Sequence, residues 1–556
     1  MTSAGRIAAA IELLAEIEGA ARRPADAVAN DFFRARRFIG AGDRRAVSEC
    51  AWGVLRARRR LGWWLSRGGA DSLLQEAPPH RLIPAANRLM AAGNRGDSPE
   101  APAVPLDMAG AGRPSTSLPP GRSKVVDGRP ARGLERFTRG PAMTDPPAMT
   151  GEQSHVRAPT PRTLVAASLT FNGWTPSGVA QTFSGGKFAA APLTAAEQAL
   201  LTPLSGHTLD HPAMPDAVRL EVPDWVLPRL AARFGPALGA ELGALLDPAP
   251  LDLRANLLRA SREEVQAALA AEGFEATPTP FSPWGLRLPG RRPVTAGPAF
   301  QSGLVEIQDE GSQLVALLTD ARPGMRVADL CAGAGGKTLA LAVTMGNRGY
   351  IAACDVSAPR LDAAVRRFRR AGAHNIERHL LGPGDRWLKR HAGGFDRVLV
   401  DAPCTGIGTW RRNPDARARL TETDLAELVV RQADLLDDAA ALVRKGGRLV
   451  YATCSLFPEE NEAQVQSFLG RHAAFALVPL ARAWPQGAPY GATPSVVSPS
   501  VVSPGAGSPS AGSSDVGSSS VASARLGPPC AGEMLTLTPR QHGTDGFFAA
   551  VLERTA

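Results

Sequence analysis

The sequence predicts a multidomain α/β protein: a doubly wound, mostly parallel sheet preceded by a small α/β unit and an all-α N-terminal region. Three observations carry this prediction. Short apolar strands alternate with helices from about 299 to 480, a glycine-rich turn follows one of the first of these strands, and residues 5 to about 85 have a helical rhythm only. At 556 residues the chain exceeds a single hydrophobic core, and its length suggests roughly three or four domains.

The N-terminal helices rest on "RIAAAIELLAEIEG", apolar at a 3.6-residue period, and on "GDRRAVSECAWGVLRARRRLGWWL", which adds a strongly basic face. Cys50 falls within that pattern and reads as core. From about 91 to 162 the chain becomes a Pro/Gly/Arg/Ser mixture with little periodicity, a low-complexity insertion or linker. Helical sequence resumes at 163 and continues to about 248. Residues 249–298 read as the small α/β unit: "PLDLRANLL" and "GLRLPG" are strand-like, and between them Ser261 caps a helix with Glu264 three residues on.

In the last unit, 299–556, "RVADLC", "GYIAACD", "FDRVLVD" and "GGRLVYAT" read as strands. "SAPRLDAAVRRFRRAG" and "TETDLAELVVRQADLLDDAAALV" read as the helices between them. A second low-complexity segment, about 485–530, repeats "VVSP" imperfectly. The strand-like "DGFFAAVLER" follows it, so this insertion interrupts the final hairpin of the sheet.

Composition narrows the function classes. No apolar run reaches the roughly 18 residues of a membrane span, and the first segment reads as an amphipathic helix rather than a signal peptide. The six cysteines, at 50, 331, 354, 404, 454 and 530, are scattered, which points to a reducing cytoplasm rather than a disulfide framework. No Cys/His spacing indicates a metal site. The formal charge of +9 admits a nucleic-acid partner, although with only five lysines among 62 basic residues an arginine-leaning coding bias explains part of it.

The turn "VADLCAGAGGKT", Val327 to Thr338, places Gly333, Gly335 and Gly336 where the backbone can approach a ligand closely. A P-loop would need glycine where Cys331 stands, so that reading is set aside. Asp329 ends the strand before the turn, and Asp355 ends the next strand, where an acid can accept two ribose hydroxyls. Together they suit an adenosyl ligand with a charged amino-acid tail. S-adenosylmethionine is therefore favoured over a dinucleotide or a purely structural turn. Asp385 is either an adenine-side contact or a solvated turn acid.

Asp401 and Cys404 lie just past one strand and Cys454 just past the next, 50 residues on from Cys404. If those strands are neighbours, the two thiols meet at the ligand-binding edge. Two thiols without histidine make an incomplete zinc site, and a redox pair normally has close spacing. Cytosine C5 methylation uses both. Thiolate addition at C6 makes C5 nucleophilic, and loss of the C5 proton with expulsion of the thiolate restores the ring. Pro403-Cys404 is where a DNA cytosine methyltransferase would place its nucleophile, so the residues leave open which thiol attacks.

"DLCAGAGGKT", "DAPCTGIG", "RRNPD" and "YATCSLFPEENEAQV" together resemble the RNA cytosine-5 methyltransferases of the RsmB/Nop2/Sun group, especially their bacterial ribosomal-RNA branch. The resemblance implies a Rossmann-like class I methyltransferase domain, an RNA-recognition-like α/β domain and a NusB-like N-terminal domain over 1–90. It makes Cys454 the nucleophile and gives Cys404 a part in product release. Asp401 would contact the cytosine edge, Lys337 would help hold the base or its loop, and Asp355 would bind the ribose. Ala334 departs from the family's usual proline. The cofactor set is read as Asp329, Cys331, Ala332, Gly333, Ala334, Gly335, Gly336 and Lys337, with Asp355, Arg360, Asp385 and Asp401.

The expected partner is RNA, ribosomal before transfer RNA, with no membrane, no metal and a monomeric chain. The basic run Arg56 to Trp64 is read as a phosphate-binding or solvated face, with Trp63 and Trp64 in the core. Arg411 and Arg412 are expected to approach RNA beside the reacting base. The contrasting class is an inactive RNA-binding assembly protein.

Overall fold

Ile7, Ala10, Leu13, Leu14 and Ile17 recur at helical spacing, and in the computed structural model all are buried along the helix Ser3–Gly19. Thr2 caps it by accepting the Gly5 N–H. The helices Ala25–Ala35, Ala41–Arg56 and Arg58–Ser66 follow, and Pro161–Phe171 packs against the first, third and fourth of the set. Residues 1–20, 23–67, 158–290, 292–382, 384–484 and 533–556 are described. Those from 1 to 67 and from 159 onward belong to one compact unit, Met1–Pro84 with Pro159–Ala556. The low-complexity segments read at 91–162 and about 485–530 lie outside the described residues, except for 158–162.

The basic run is paired internally. Arg58 meets Glu18, Arg59 meets Asp224, and Arg60 meets both Asp210 and the buried Glu221. Trp63 and Trp64 are buried, as expected of core residues, and Trp64 donates its indole N–H to the Leu209 carbonyl.

A four-stranded antiparallel sheet comes next, from β1 (Leu251–Ala255), β2 (Thr277–Pro278), β3 (Gly285–Leu288) and β4 (Val305–Ile307), in the order β2-β3-β1-β4. The helix Arg262–Ala271, with the Ser261–Glu264 capping box in place, lays Val265 and Leu269 on Leu253, Ala255, Leu286 and Leu288.

The large sheet contains β5 (Arg326–Asp329), β6 (Tyr350–Asp355), β7 (Ile376–Leu380), β8 (Phe395–Asp401), β9 (Val443–Thr453), β10 (Phe475–Leu477), β11 (Leu535–Leu537) and β12 (Phe547–Arg554). Its order is β10-β12-β9-β8-β5-β6-β7, with β11 also on β12. The five strands from β9 to β7 are parallel and β12 runs against them. Both faces are covered. Leu436, Ala439 and Phe468 pack on one side, and Leu314, Leu318 and Leu341 on the other. The chain runs outward from β5 to β7 and then returns to the other side of β5 as β8. That reversal is the crevice where such sheets bind ligands.

Candidate active site

The β8–β9 register sets Asp401 opposite Ala452, so the chain beyond both strands emerges at the same edge. Cys404 and Cys454 meet there with sulfurs 3.4 Å apart, both free thiols. Cys404 is held well above the usual thiol range, first by its hydrogen bond with Cys454 and then by burial. It is therefore a neutral thiol at neutral pH.

One buried carboxylate joins the two cysteine loops. Glu460 Oε1 accepts from the Thr405 N–H at 2.8 Å and from Gln432 Nε2 at 3.0 Å, and its Oε2 accepts from the hydroxyls of Thr405, at 2.5 Å, and Ser455. Asn461 Nδ2 donates to the Ser455 carbonyl, and Gly408 N–H to the Cys454 carbonyl. A Cβ at Gly408 would fall 2.2 Å from the Gly546 carbonyl oxygen, so only glycine lets the Cys404 loop lie against the chain entering β12.

Lys337, in the first turn of the helix Gly336–Thr344, donates from Nζ to Asp401 Oδ2 at 2.6 Å. Burial opposes its charge, but Asp401 outweighs that effect and Cys454 adds to it, so its pKa rises and it stays an ammonium. A cation is thus fixed beside the sulfur pair.

On the other side of the edge, Asp355 accepts from the Gly333 and Ser357 N–H groups, each at 2.8 Å, which draws the glycine turn toward the end of β6. Gly335 has φ +80° and packs directly on Phe368, where a Cβ would lie 2.4 Å from the ring. Where the related motif has proline, the Ala334 carbonyl accepts from Arg367 Nη1 at 2.8 Å, so a side chain supplies the restraint that a ring would give. Asp329 is fully buried. One of its oxygens accepts from Thr338, the other has no hydrogen-bond partner, and burial pushes its pKa up to about 7. A buried acceptor without a donor, next to an open glycine turn, fits a ligand that brings a cationic amine.

The remaining expected residues are less central. Cys331 and Ala332 lie in the turn, with the Cys331 thiol raised above its ordinary range by burial. Arg360 is exposed on the first turn of the helix Ala358–Ala371. Asp385 caps the helix Arg386–Arg390 through the Trp387 N–H and pairs with His379 at 2.8 Å. Those bonds, Trp387 first, bring its pKa down to about 2.

Arg411 and Arg412 are not free to meet RNA. Both are held by Asp545 and Asp309, and Arg411 is buried; the cause is four charged groups from three separate segments closing on one another. Glu460, Asn461, Thr405, Ser455 and Gln432 were not singled out from sequence. The one signal was a polar "EEN" close behind a buried strand.

The fold and site define a Rossmann-like S-adenosylmethionine-dependent methyltransferase domain. Residues 316–553 match the family described as 16S rRNA methyltransferase RsmB/F, and residues 222–295 match the RsmF/B-like ferredoxin-like domain. The chain belongs to the RsmB/F family, in its bacterial branch. It is 35% identical to a probable ribosomal RNA small subunit methyltransferase B of Synechocystis sp. over 60% of this chain and 66% of that protein. A ribosomal RNA small subunit methyltransferase B of Photorhabdus laumondii is 34% identical over 45% of this chain and 58% of its own length. The chain thus spans just under two thirds of the first relative and less of the second. The crystal structure of PH0851 shares the fold, with a TM-score of 0.63 at 21% identity, covering 100% of this chain and 99% of that one. Among the described residues, no helix is long and apolar enough to cross a membrane.

Proposed function

We propose that the protein transfers a methyl group from S-adenosylmethionine to carbon 5 of a cytosine in 16S ribosomal RNA. The observation that carries this reading is the meeting of Cys404 and Cys454 at adjacent strand ends, beside the Lys337 ammonium. The cofactor, when bound, supplies an electrophilic sulfonium methyl group. Asp329 would receive its amine, Asp355 its ribose, and the turn Cys331–Gly336 would lie along it, with Arg360 and Asp385 at the periphery.

Cys454, as the thiolate, adds to cytosine C6, and the electron pair displaced makes C5 nucleophilic. Lys337 and Asp401 orient the base edge and disperse the charge that develops on it. Once C5 carries the methyl group, its proton passes to solvent and the C6–sulfur bond breaks, so that Cys454 leaves as the thiolate and the ring is restored. Cys404 serves this release step. The base must leave its stack to reach both sulfurs, which favours unpaired RNA. The helices of 1–90 are read as a NusB-like RNA-binding domain and the β1–β4 unit as an RNA-recognition-like domain.

The test is methyl transfer to separate 16S ribosomal RNA, transfer RNA and DNA, with the modified base identified by mass spectrometry. 5-Methylcytosine in 16S ribosomal RNA is expected. Verified cofactor binding without activity on any cytosine-containing RNA would leave the inactive assembly protein as the reading.

A further inference from the structure

Glu460 is fully buried, and its partners are neutral donors drawn from three elements. Two of them have a particular place in the chain: Thr405 follows Cys404 and Ser455 follows Cys454. Their hydroxyls lie 3.2 Å from each other and both donate to the same carboxylate oxygen. Gln432, from the helix Glu422–Leu442, donates to Glu460 and also to the Pro403 carbonyl, the residue before Cys404. The Tyr451 hydroxyl holds the Glu460 carbonyl from within β9. The two cysteine loops cannot separate without stranding buried donors around a buried charge.

We infer that Glu460 is a positioning residue, a clamp that holds the residue after each cysteine and keeps Cys404 and Cys454 in register for their separate steps. It touches neither sulfur as a hydrogen-bond partner and acts through Thr405 and Ser455. After the hydrogen bond with Cys454 and burial, its charge also contributes to keeping the Cys404 thiol protonated. The inference rests on the cytosine-methylation reading for the steps it assigns, but the clamp itself has a readout independent of activity.

Four variants test it: Glu460→Ala, Glu460→Gln, Thr405→Val and Ser455→Ala. Glu460→Ala is expected to lower kcat about 100-fold while KM for the cofactor stays within about twofold, because the cysteines and not the cofactor turn lose register. In the protein alone, iodoacetamide should alkylate both cysteines faster than in the wild type, read by mass spectrometry. Glu460→Gln, which can still accept at one oxygen and bridge the hydroxyls from its amide, should recover to within about tenfold of wild type. Thr405→Val should accumulate RNA-linked protein on denaturing gels, and Ser455→Ala should slow adduct formation without accumulation.

Wild-type kcat and alkylation in Glu460→Ala, equal damage in Glu460→Gln and Glu460→Ala, or slowing of the same step by Thr405→Val and Ser455→Ala would each overturn the clamp. If Glu460→Ala fails to fold, the last two variants decide. A wild type that methylates no RNA cytosine defeats the functional reading instead, and the alkylation rates still decide whether the clamp exists.

Discussion

Lys337 Nζ lies 2.6 Å from Asp401 Oδ2, a contact that ties the helix after β5 to the end of β8 across the crevice. The side chain of Lys337 is 10% exposed and that of Asp401 is 30% exposed, so the pair is half-screened and its removal has two separate consequences. For Lys337→Met, we expect a stability loss of about 1–3 kcal/mol, below the range for a fully buried pair. Methyl transfer should fall by about 10²–10⁴-fold, since the fixed cation beside the sulfurs is gone. Thermal unfolding and single-turnover kinetics measure the two effects independently.

Asp329 predicts a pH dependence. Its carboxyl ionises near 3.8 in the unfolded chain and near 7 in the folded one, because burial disfavours the charge. With the folded value raised, its contribution to stability is fully present below pH 3.8 and is lost as pH rises toward and through 7. Stability of the ligand-free protein should therefore decline over that window, and Asp329→Asn should remove this part of the decline. Cofactor affinity runs the other way. A cationic amine selects the carboxylate, so binding should tighten between about pH 6 and pH 8 in the wild type and lose that dependence in Asp329→Asn. Chemical denaturation and calorimetric titration across pH report the two signs.

Gly335→Ala should fail at the cofactor turn. The backbone has φ +80°, and the new methyl would press on Phe368 at 2.4 Å, so neither the conformation nor the space suits alanine. A loss of about 1–3 kcal/mol in stability, with weaker cofactor binding, is expected.

The Arg411–Arg412–Asp309–Asp545 cluster predicts a structural role for "RR" rather than a phosphate contact. Asp545→Ala should destabilise the protein by about 3–5 kcal/mol, as expected when one partner leaves a buried ion cluster. Arg412→Ala should leave the slope of log RNA affinity against log salt unchanged to within about 0.3 and lower the unfolding temperature. A slope reduced by a full counterion with unchanged thermal stability would return Arg412 to the RNA surface.

Much of the fold was legible because it depends on local pattern. The strands "RVADLC", "GYIAACD", "FDRVLVD" and "GGRLVYAT" are runs bounded by glycine, polar turns or aspartate, and parallel strands buried on both faces read that way. The Ser261 and Thr421 caps announce their helices with an acid three residues on. The short β10 and β11 carry too few residues for any period, and they form because β12 offers both of them a pairing edge.

The site divided along the same line. Cys404 and Cys454 were legible as a pair because strand adjacency converts 50 residues of chain into 3.4 Å. The fate of Arg411 and Arg412 was not, since Asp545 lies more than 130 residues away and nothing local identifies it as the partner. Glu460 escaped for the opposite reason: an acid next to a turn looks solvated until the donors around it are known.

The central claim is the division of labour between the two thiols, and the most direct measurement of it is a denaturing gel of enzyme incubated with RNA and cofactor. Cys404→Ala is predicted to trap protein covalently on RNA, because attack proceeds and release stalls. Cys454→Ala is predicted to bind cofactor, form no adduct and transfer no methyl group. Trapped adduct in Cys454→Ala, with none in Cys404→Ala, would contradict the account and make Cys404 the nucleophile.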